Sequence, residues 1–543
     1  MDWHQDHTVR DQRLRRLIRF MARSVAETIE RSGDRPPQRR GGEHGARRLS
    51  RRNVLKLGGA AAAATIASPL ILQACSKRGE TSHSDLGEKS IGIIGAGIAG
   101  LSAGHYLKKH GAQIEILEAS GRTGGRIQTV QGGFSPGIYT ENGGEFVDTD
   151  HSTIRSLCSE FGIRLLDTEY DHQSNGLRAQ DYFINGTAYS DADILRNFGE
   201  AADVIASDLK QCGDYDTEYA KQLDHTSLAD YLKNLPLPTW LAELLGNAYE
   251  AEFGLAAADQ SSLNFIDMIN TDLSKGFRLF GDSDERYRIE GGSSSLVQAL
   301  TAELKSAISL NKRLTTIETT AQGVRVQFSD QTKRDFDALI VAIPFTCLRQ
   351  VSIKAAMSVE KRECIDKLSY GNNCKLILGT KSRAWRTDGS AGYVINDVIQ
   401  NGWDATQMQT NNHGPGAYTV FLGGASAQTM NTATPQQRNN ACKQFMDLLE
   451  AVYPATKGQF SQRSRFANWV ANPLALGSYP AYTLGQWTTI SGLEAEPIGR
   501  IHFAGDHTSE DYQGYMNGAA ESGKRVCDEI IASFQPRSAA AKS

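Results

Sequence analysis

Gly95-Ala96-Gly97-Ile98-Ala99-Gly100 places three glycines in G-x-G-x-x-G spacing. The chemistry open to that spacing is phosphate binding. The first glycine makes a tight turn, the second lets a pyrophosphate approach bare backbone, and the third lets a helix pack closely on the preceding strand. Glu118 follows about 20 residues on, where a carboxylate accepts both hydroxyls of a ribose and repels a 2′-phosphate, which disfavours NADP. Gly121-Arg122-Thr123-Gly124-Gly125-Arg126 adds a second glycine loop with two guanidinium groups, and Arg126 is suited to pair with a diphosphate. Glu141-Asn142-Gly143-Gly144-Glu145-Phe146-Val147-Asp148 supplies a further stretch of bare backbone. Far along the chain come Phe503-Ala504-Gly505-Asp506-His507-Thr508 and Gly514-Tyr515-Met516-Asn517-Gly518-Ala519. Main chain without side chains can lie against a flat ring, and a helix starting near Met516 can aim N–H groups at a carbonyl edge of that ring. NAD and FAD share the first fingerprint; the additional glycine segments point to FAD.

These residues need particular elements to position them. Ser90-Ile91-Gly92-Ile93-Ile94 is a short apolar run ending at glycine, which predicts a buried parallel strand. Ile98 to His110 has helical spacing with Gly111 as its stop, and Gln113 to Glu118 predicts the next strand. The three form a βαβ unit of about 30 residues. A mostly helical stretch is expected from about Ser152 to Asp284, interrupted by the turn Leu235-Pro236-Leu237-Pro238. Strand character returns between Arg288 and Ala342, with Thr316-Ile317-Glu318 and Val324 to Phe328 alternating and Ala338 to Ala342 a buried run. Met357 to Phe466 mixes strands and helices. Arg500 to Ala504 predicts a last buried strand, leading to a helix from about Gly514 to Phe534.

The 543 residues are 40% hydrophobic and 22% charged, ordinary globular values that exclude a fibrous or disordered chain. The formal net charge of −4 conceals an asymmetry. Met1 to Lys56 holds 15 Lys+Arg against 7 Asp+Glu, so the remainder carries 43 basic and 55 acidic residues. An acidic body sets nucleic acid aside. Within the basic leader, Ser50-Arg51-Arg52-Asn53-Val54-Leu55-Lys56 reads as a twin-arginine export signal, followed by a weakly apolar, Ala-rich stretch from Leu57 to Ala74. Its glycines and alanines make it a poor membrane anchor. Leu72-Gln73-Ala74-Cys75 resembles a bacterial lipobox, which makes Cys75 a candidate lipidation site and a lipid anchor a candidate partner surface. Gln73 is larger than the residue usual at that position. The eight cysteines form no C-x-x-C pair and no zinc spacing, so no metal site and no structural disulfide is expected.

From Ser90 to about Ile531 the sequence resembles the flavin-containing amine oxidase family, which includes monoamine, polyamine and L-amino-acid oxidases. The resemblance rests on the fingerprint through Arg126, on Gly143-Gly144, on Tyr287-Arg288-Ile289-Glu290-Gly291-Gly292, and on the block from Gly505 to Ala519. It implies FAD held by three separated segments, with a substrate domain inserted twice between them. The cofactor-binding residues it implies are Gly95, Gly97, Ala99, Gly100, Glu118, Arg122, Gly125, Arg126, Gly143, Gly144, Glu145, Phe146, Gly505, Asp506, Tyr515 and Met516, with Leu314 where the family uses backbone to hold adenine. Asn373-Cys374-Lys375-Leu376-Ile377 matches the strand whose lysine reaches flavin N5 through a water, so the resemblance implies that role for Lys375. Leu476-Gly477-Ser478-Tyr479-Pro480 and Gly514-Tyr515-Met516 match the segments carrying the two rings of an aromatic cage, which makes Tyr479 and Tyr515 catalytic candidates. Some members attach FAD through a cysteine just before the first cage tyrosine. That position is Ser478 here, so the FAD is expected to be non-covalent.

The expected fold is a two-domain α/β flavoprotein. A Rossmann-like FAD-binding domain comprises 90–165, 286–352 and 470–535, and an α+β substrate domain comprises 166–285 and 353–469. Ahead of them lie a basic extension (1–49), the export signal (50–75) and a linker (76–89); a tail (536–543) follows. The implied reaction moves a hydride equivalent from the carbon beside a neutral amine nitrogen to flavin N5, with dioxygen reoxidising the flavin to give hydrogen peroxide. The implied partners are a small amine and dioxygen; the implied location is the periplasm or the lipid-anchored face of the envelope. Several L-amino-acid oxidases carry an arginine at the position of Phe146 to hold the substrate carboxylate, a task Phe146 cannot perform. Asp148 falls where some polyamine oxidases have an acidic residue near the distal cation of the substrate; a solvated loop aspartate is its other reading. An L-amino-acid oxidase, an amine dehydrogenase passing electrons to an envelope carrier, and a non-catalytic FAD-binding lipoprotein stand as alternatives.

Overall fold

A computed structural model describes residues 86–409 and 412–535, all within one compact unit. The expected export signal Ser50–Lys56, the Ala-rich stretch Leu57–Ala74, the candidate lipidation residue Cys75, most of the expected linker and the tail 536–543 lie outside the described residues. Leu86, in the last part of that linker, is buried, and its N–H donates to the His110 carbonyl at 3.1 Å.

The strand Ser90–Ile94 lies at the centre of a five-stranded parallel sheet, in the order Ile308–Ser309, Gln113–Leu117, Ser90–Ile94, Ala338–Val341, Ile501–Phe503. The inner strands Ser90–Ile94 and Ala338–Val341 are buried almost throughout and read as apolar runs, as parallel strands covered on both faces do, whereas Gln113–Leu117 and Ile308–Ser309 towards the edge are only partly buried. The helix Ile98–Lys109 returns the chain from the first strand to the second. Glycine is needed at Gly100, where a Cβ would stand 2.0 Å from the Gly95 carbonyl oxygen. The last helix, Met516–Phe534, lies against the first at Gly523, where a Cβ would meet the Ala99 carbonyl oxygen at 2.6 Å and the Ala103 nitrogen at 2.7 Å. The first and last helices of the described residues are thereby packed into one core.

A second layer is the seven-stranded sheet Phe460–Asn468, Cys374–Thr380, Gly416–Leu422, Gln400–Asp404, Val394–Asn396, Asp181–Ile184, Thr187–Tyr189. Its strands come from both 166–285 and 353–469, and the helices Asp191–Cys212 and Thr239–Phe253 build the apolar core beside it. The stretch expected to be mostly helical contains seven helices but also three short strands, Leu165–Asp167, Asp181–Ile184 and Thr187–Tyr189. Three or four residues are too few to show alternation. Partners elsewhere in the chain make them strands: Asp181–Phe183 pairs in parallel with Val394–Asn396, and Leu165–Asp167 pairs with Tyr287–Ile289 across the expected 165/166 boundary. The seven cysteines of the described residues are free thiols. Among the described residues no helix is long and apolar enough to cross a membrane.

The close approach at Gly523 gives a test of the packing. Gly523→Val should destabilise the protein by about 1–3 kcal/mol through overpacking, seen as a lower urea midpoint with flavin content measured in parallel; an unchanged midpoint would show that the two helices can separate without cost.

Candidate active site

The phosphate fingerprint is assembled as its spacing suggests. Gly97 caps the helix Ile98–Lys109 without a side-chain cap and with no acidic residue in the first turn, and a Cβ built on Gly97 would meet no atom within 4 Å. Open space lies where the helix N–H groups and dipole favour an anion. Glu118 is buried; its Oε2 accepts from the Ala96 N–H at 2.8 Å and its Oε1 from the Ser120 N–H at 2.8 Å. The second glycine loop is strapped to the first, the Gly124 N–H donating to the Ala96 carbonyl at 2.8 Å. Arg122 closes its own loop, donating to the carbonyls of Thr123 (3.0 Å) and Gly125 (2.6 Å). Leu314 is buried at the start of the strand Leu314–Thr319. At the other end of the chain, Met516–Phe534 begins at Tyr515 with no side-chain cap and no acid in its first turn, and Met516 lies against Gly144, where a Cβ would stand 2.7 Å from its Sδ.

Arg126 and Asp506, 380 positions apart, form a two-pronged ion pair: one guanidinium nitrogen lies 3.0 Å from Oδ2 and the other contacts Oδ1. Arg126 also donates to the Ser478 carbonyl at 2.6 Å. Burial alone would raise Asp506, but the Arg126 charge outweighs it and holds this carboxyl below the usual range. Arg126 therefore has an internal partner in addition to any diphosphate.

Lys375 lies in the strand Cys374–Thr380, every residue of which is buried. Its Nζ is 2.8 Å from Glu145 Oε2 and donates to the Gly143 carbonyl at 2.8 Å. Glu145 in turn meets Arg288 at 3.2 Å and accepts from the Trp403 indole N–H at 3.1 Å. Phe146 lies edge-on to Trp403, ring centres 5.3 Å apart, with the Arg288 guanidinium 4.8 Å from its ring centre. The Tyr479 ring lies against Gly514, the residue before Tyr515: a Cβ on Gly514 would be 3.5 Å from Tyr479 Cδ2. The Tyr479 hydroxyl donates to the Glu252 carbonyl. The Ser478 hydroxyl donates to Asn373 Oδ1 at 2.6 Å.

Asp148 is buried, not a solvated loop residue. Its Oδ1 accepts from the Glu285 N–H at 2.9 Å and its Oδ2 lies 3.3 Å from His151 Nε2. Asp148, Asp150 and His151 bring ligand-type atoms within 4.8 Å of one another, although Asp148 is already satisfied by these partners. Glu252 and Glu285, which no motif singled out, complete an acidic surround. Burial pushes Asp148 and Glu252 up to about 7 and Glu285 up to about 8, reinforced by Asp284 and Asp150 at Asp148, by Asp148 at Glu252, and by Glu252 and Asp148 at Glu285. Burial also pushes the hydroxyls of Tyr479 and Tyr515 well up, and the nearby charges that reinforce this are carboxylates: Glu252 and Glu285 for both rings, Asp148 for Tyr515. One local signal accompanies Glu285, a non-glycine residue held at φ 44°, a conformation that costs energy and often marks a functional site. Arg288 lay inside a quoted motif without an assigned role; Trp403 and Glu252 carry no sequence signal of their own.

A glycine-loop parallel sheet joined to a second sheet that carries a buried lysine, with Tyr479 in the loop after that sheet's edge strand Phe460–Asn468 and Tyr515 capping the last helix, defines a two-domain α/β flavoprotein. The family model described as "Flavin containing amine oxidoreductase" matches residues 98–531. Bovine amine oxidase [flavin-containing] A is 22% identical over 466 residues, 82% of this chain and 86% of its own length. Among solved structures, cyclohexylamine oxidase from Brevibacterium oxydans superposes with a TM-score of 0.72 at 20% identity, covering 83% of this chain and all of the other. Putrescine oxidase bound to putrescine gives 0.70 at 20% identity, covering 82% and 99%. The chain belongs to the flavin-containing amine oxidoreductase family, and it is an FAD-dependent oxidoreductase acting on amines.

The raised carboxyls set a pH dependence of stability. Their folded values exceed the ordinary values of 3.8 and 4.5, so the stability they contribute is complete below about 4 and is lost as pH rises through about 7 to 8. The melting temperature of the amine-free protein should therefore fall between pH 5 and 8.5, and Glu252→Gln with Glu285→Gln should flatten that slope. An equally steep slope in the double variant would assign it to other groups.

Proposed function

We propose that the chain is an exported amine oxidase with non-covalent FAD, acting on a small cationic amine, with Lys375, Tyr479 and Tyr515 as its catalytic residues. The observation that carries the substrate class is the charge around the two tyrosines, supplied by the carboxyls Glu252, Glu285 and Asp148. A cationic amine is attracted there, whereas the carboxylate of an amino acid is repelled. The arginine beside Phe146 is Arg288, and it is already committed to Glu145 and to the Asp404 carbonyl at 2.8 Å. This favours an amine over an L-amino acid.

The glycine loop and the uncapped helix at Gly97 suit a diphosphate, Glu118 a ribose, Leu314 an adenine held by backbone, and Gly143-Gly144, Gly505-Asp506 and the helix at Met516 the ring system. Bound FAD supplies the two-electron chemistry that takes hydrogen from the carbon beside nitrogen and passes electrons to dioxygen. The chain's own residues prepare the amine. Tyr479, held by its hydroxyl on Glu252, and Tyr515 flank and orient the nitrogen. Glu252 and Glu285, titrating near neutrality, attract the ammonium and can take up its proton at a carboxylate oxygen. Asp148, whose oxygens are occupied, holds the Glu285 turn; the distal-cation role expected of it is better suited to Glu252 and Glu285. Lys375 supplies a cation beside the glycine segment. Ser478, bonded to Asn373, supports a non-covalent flavin.

Anaerobic mixing of the purified yellow protein with amines should bleach the flavin, diamines faster than monoamines of equal length, and L-amino acids least. Faster bleaching by amino acids than by any amine would overturn the substrate class. Lys375→Met should retain flavin and slow reduction or reoxidation by about 10²-fold or more. Acid precipitation of the same sample should release FAD to the supernatant; a yellow pellet would mean a covalent link.

Export by the twin-arginine route to the periplasm, with lipid attachment at Cys75, is proposed from Ser50–Lys56 and Leu72–Cys75. Replacing Arg51 and Arg52 together by lysine should leave the protein in the cytoplasm, because the signal is read as an address and not as bulk charge. Unchanged envelope activity would count against this route.

A further inference from the structure

Three charged side chains meet in the interior: Lys375 is 7% exposed, Glu145 6% and Arg288 5%. The Lys375 ammonium has three hydrogens and three acceptors, Glu145 Oε2 at 2.8 Å, the Gly143 carbonyl at 2.8 Å and the Glu141 carbonyl at 3.5 Å. The other oxygen of Glu145 is held by Arg288 at 3.2 Å and by the Trp403 N–H at 3.1 Å. The Trp403 ring also lies 5.2 Å from Lys375 Nζ. Both carboxylate oxygens are thus engaged, one by the lysine and one by groups that fix the carboxylate itself.

The physical need is plain. A buried ammonium without a counter-ion sheds its proton, because desolvation penalises the charged form. The charged groups facing Lys375 are Glu145, Glu141 and, through Glu145, Arg288, with Glu285 coupled to Glu145 from the acidic surround. Glu141 is a poor substitute for Glu145. Its oxygens are occupied by the Thr129 hydroxyl and the Ser293 N–H, and burial pushes it up to about 7. Arg288 keeps its charge at any accessible pH, so when the carboxylate is lost it is the lysine that yields.

We propose that Glu145 is a positioning residue. It holds Lys375 as a charged ammonium, locked onto the Gly143 carbonyl so that the lysine and the glycine segment move as one unit, with Arg288 and Trp403 bracing Glu145 from behind. This rests on the role given to Lys375 under Proposed function and adds a residue that acts through it. Within the triad of Lys375, Glu145 and Arg288 the charge is then one net positive, two cations and one anion.

The test compares full-length, FAD-loaded wild type, Glu145→Gln, Glu145→Asp, Lys375→Met and Glu145→Gln/Lys375→Met. Flavin content and unfolding midpoint are measured first. Reoxidation by air and the flavin reduction potential are then followed from pH 6 to 10. Glu145→Gln should slow reoxidation by about 10-fold, as loss of a group that orients a functional side chain does. Its rate should fall on the alkaline side at a lower pH than in wild type. Its potential should lie above wild type at pH values below that fall, where Lys375 and Arg288 are both charged, and return to the wild-type value above it, where the lysine has lost its proton and one net positive charge remains. Glu145→Asp keeps the charge but withdraws it by a methylene, so it should show the same changes in smaller degree, and it stands in if the glutamine variant loses flavin. The double variant should be no slower than Lys375→Met. A wild-type pH profile and potential in Glu145→Gln, or additive losses in the double variant, overturns the positioning role while leaving the lysine reading intact. Wild-type behaviour of Lys375→Met overturns both.

Discussion

The ion pair between Arg126 and Asp506 is the constraint on which the site depends. It joins residues 380 positions apart, and the same guanidinium takes the carbonyl of Ser478. Three distant segments are referenced to one planar group whose five donors have fixed directions. Ser478 precedes Tyr479, and Asp506 opens the turn that leads to Tyr515 and the last helix. Both tyrosines are therefore placed relative to the glycine loops by one part-buried interaction. Removing Arg126 would leave the buried Asp506 carboxylate without its counter-charge, a destabilising change. The close helix contact at Gly523 draws the same two ends of the chain together by packing.

One short segment, Gly143 to Asp148, then distributes charge within the site. Gly143 and Glu145 hold the Lys375 ammonium, with Arg288 behind it. Asp148 turns away to the Glu285 N–H and His151. A paired, net positive grouping thus lies a few residues from an acidic one whose members titrate near neutrality. Phe146, between them in sequence, contacts Trp403 and Arg288.

What the sequence determined by itself is what local stereochemistry determines. The βαβ unit was legible because a buried parallel strand, a glycine turn that only glycine tolerates and a helix stop occupy adjacent residues. Glu118 was legible from its distance to that turn, and its carboxylate does reach back to the Ala96 N–H. The last strand and the helix after it were legible for the same reason. Lys375, Tyr479 and Tyr515 are candidates through family resemblance alone, since a lone lysine or tyrosine carries no signal in its neighbours. The tertiary structure decided what depends on partners hundreds of residues away. The strands Asp181–Ile184 and Leu165–Asp167 exist because other segments offer edges to pair with. Arg126 acquired Asp506, Glu145 became the counter-ion of Lys375, and Asp148 was withdrawn from solvent. Glu252 and Glu285 became acidic neighbours of the two tyrosines because folding brought them there, half-buried. Burial and charge pairing are properties of a position in space, and chain distance does not encode them.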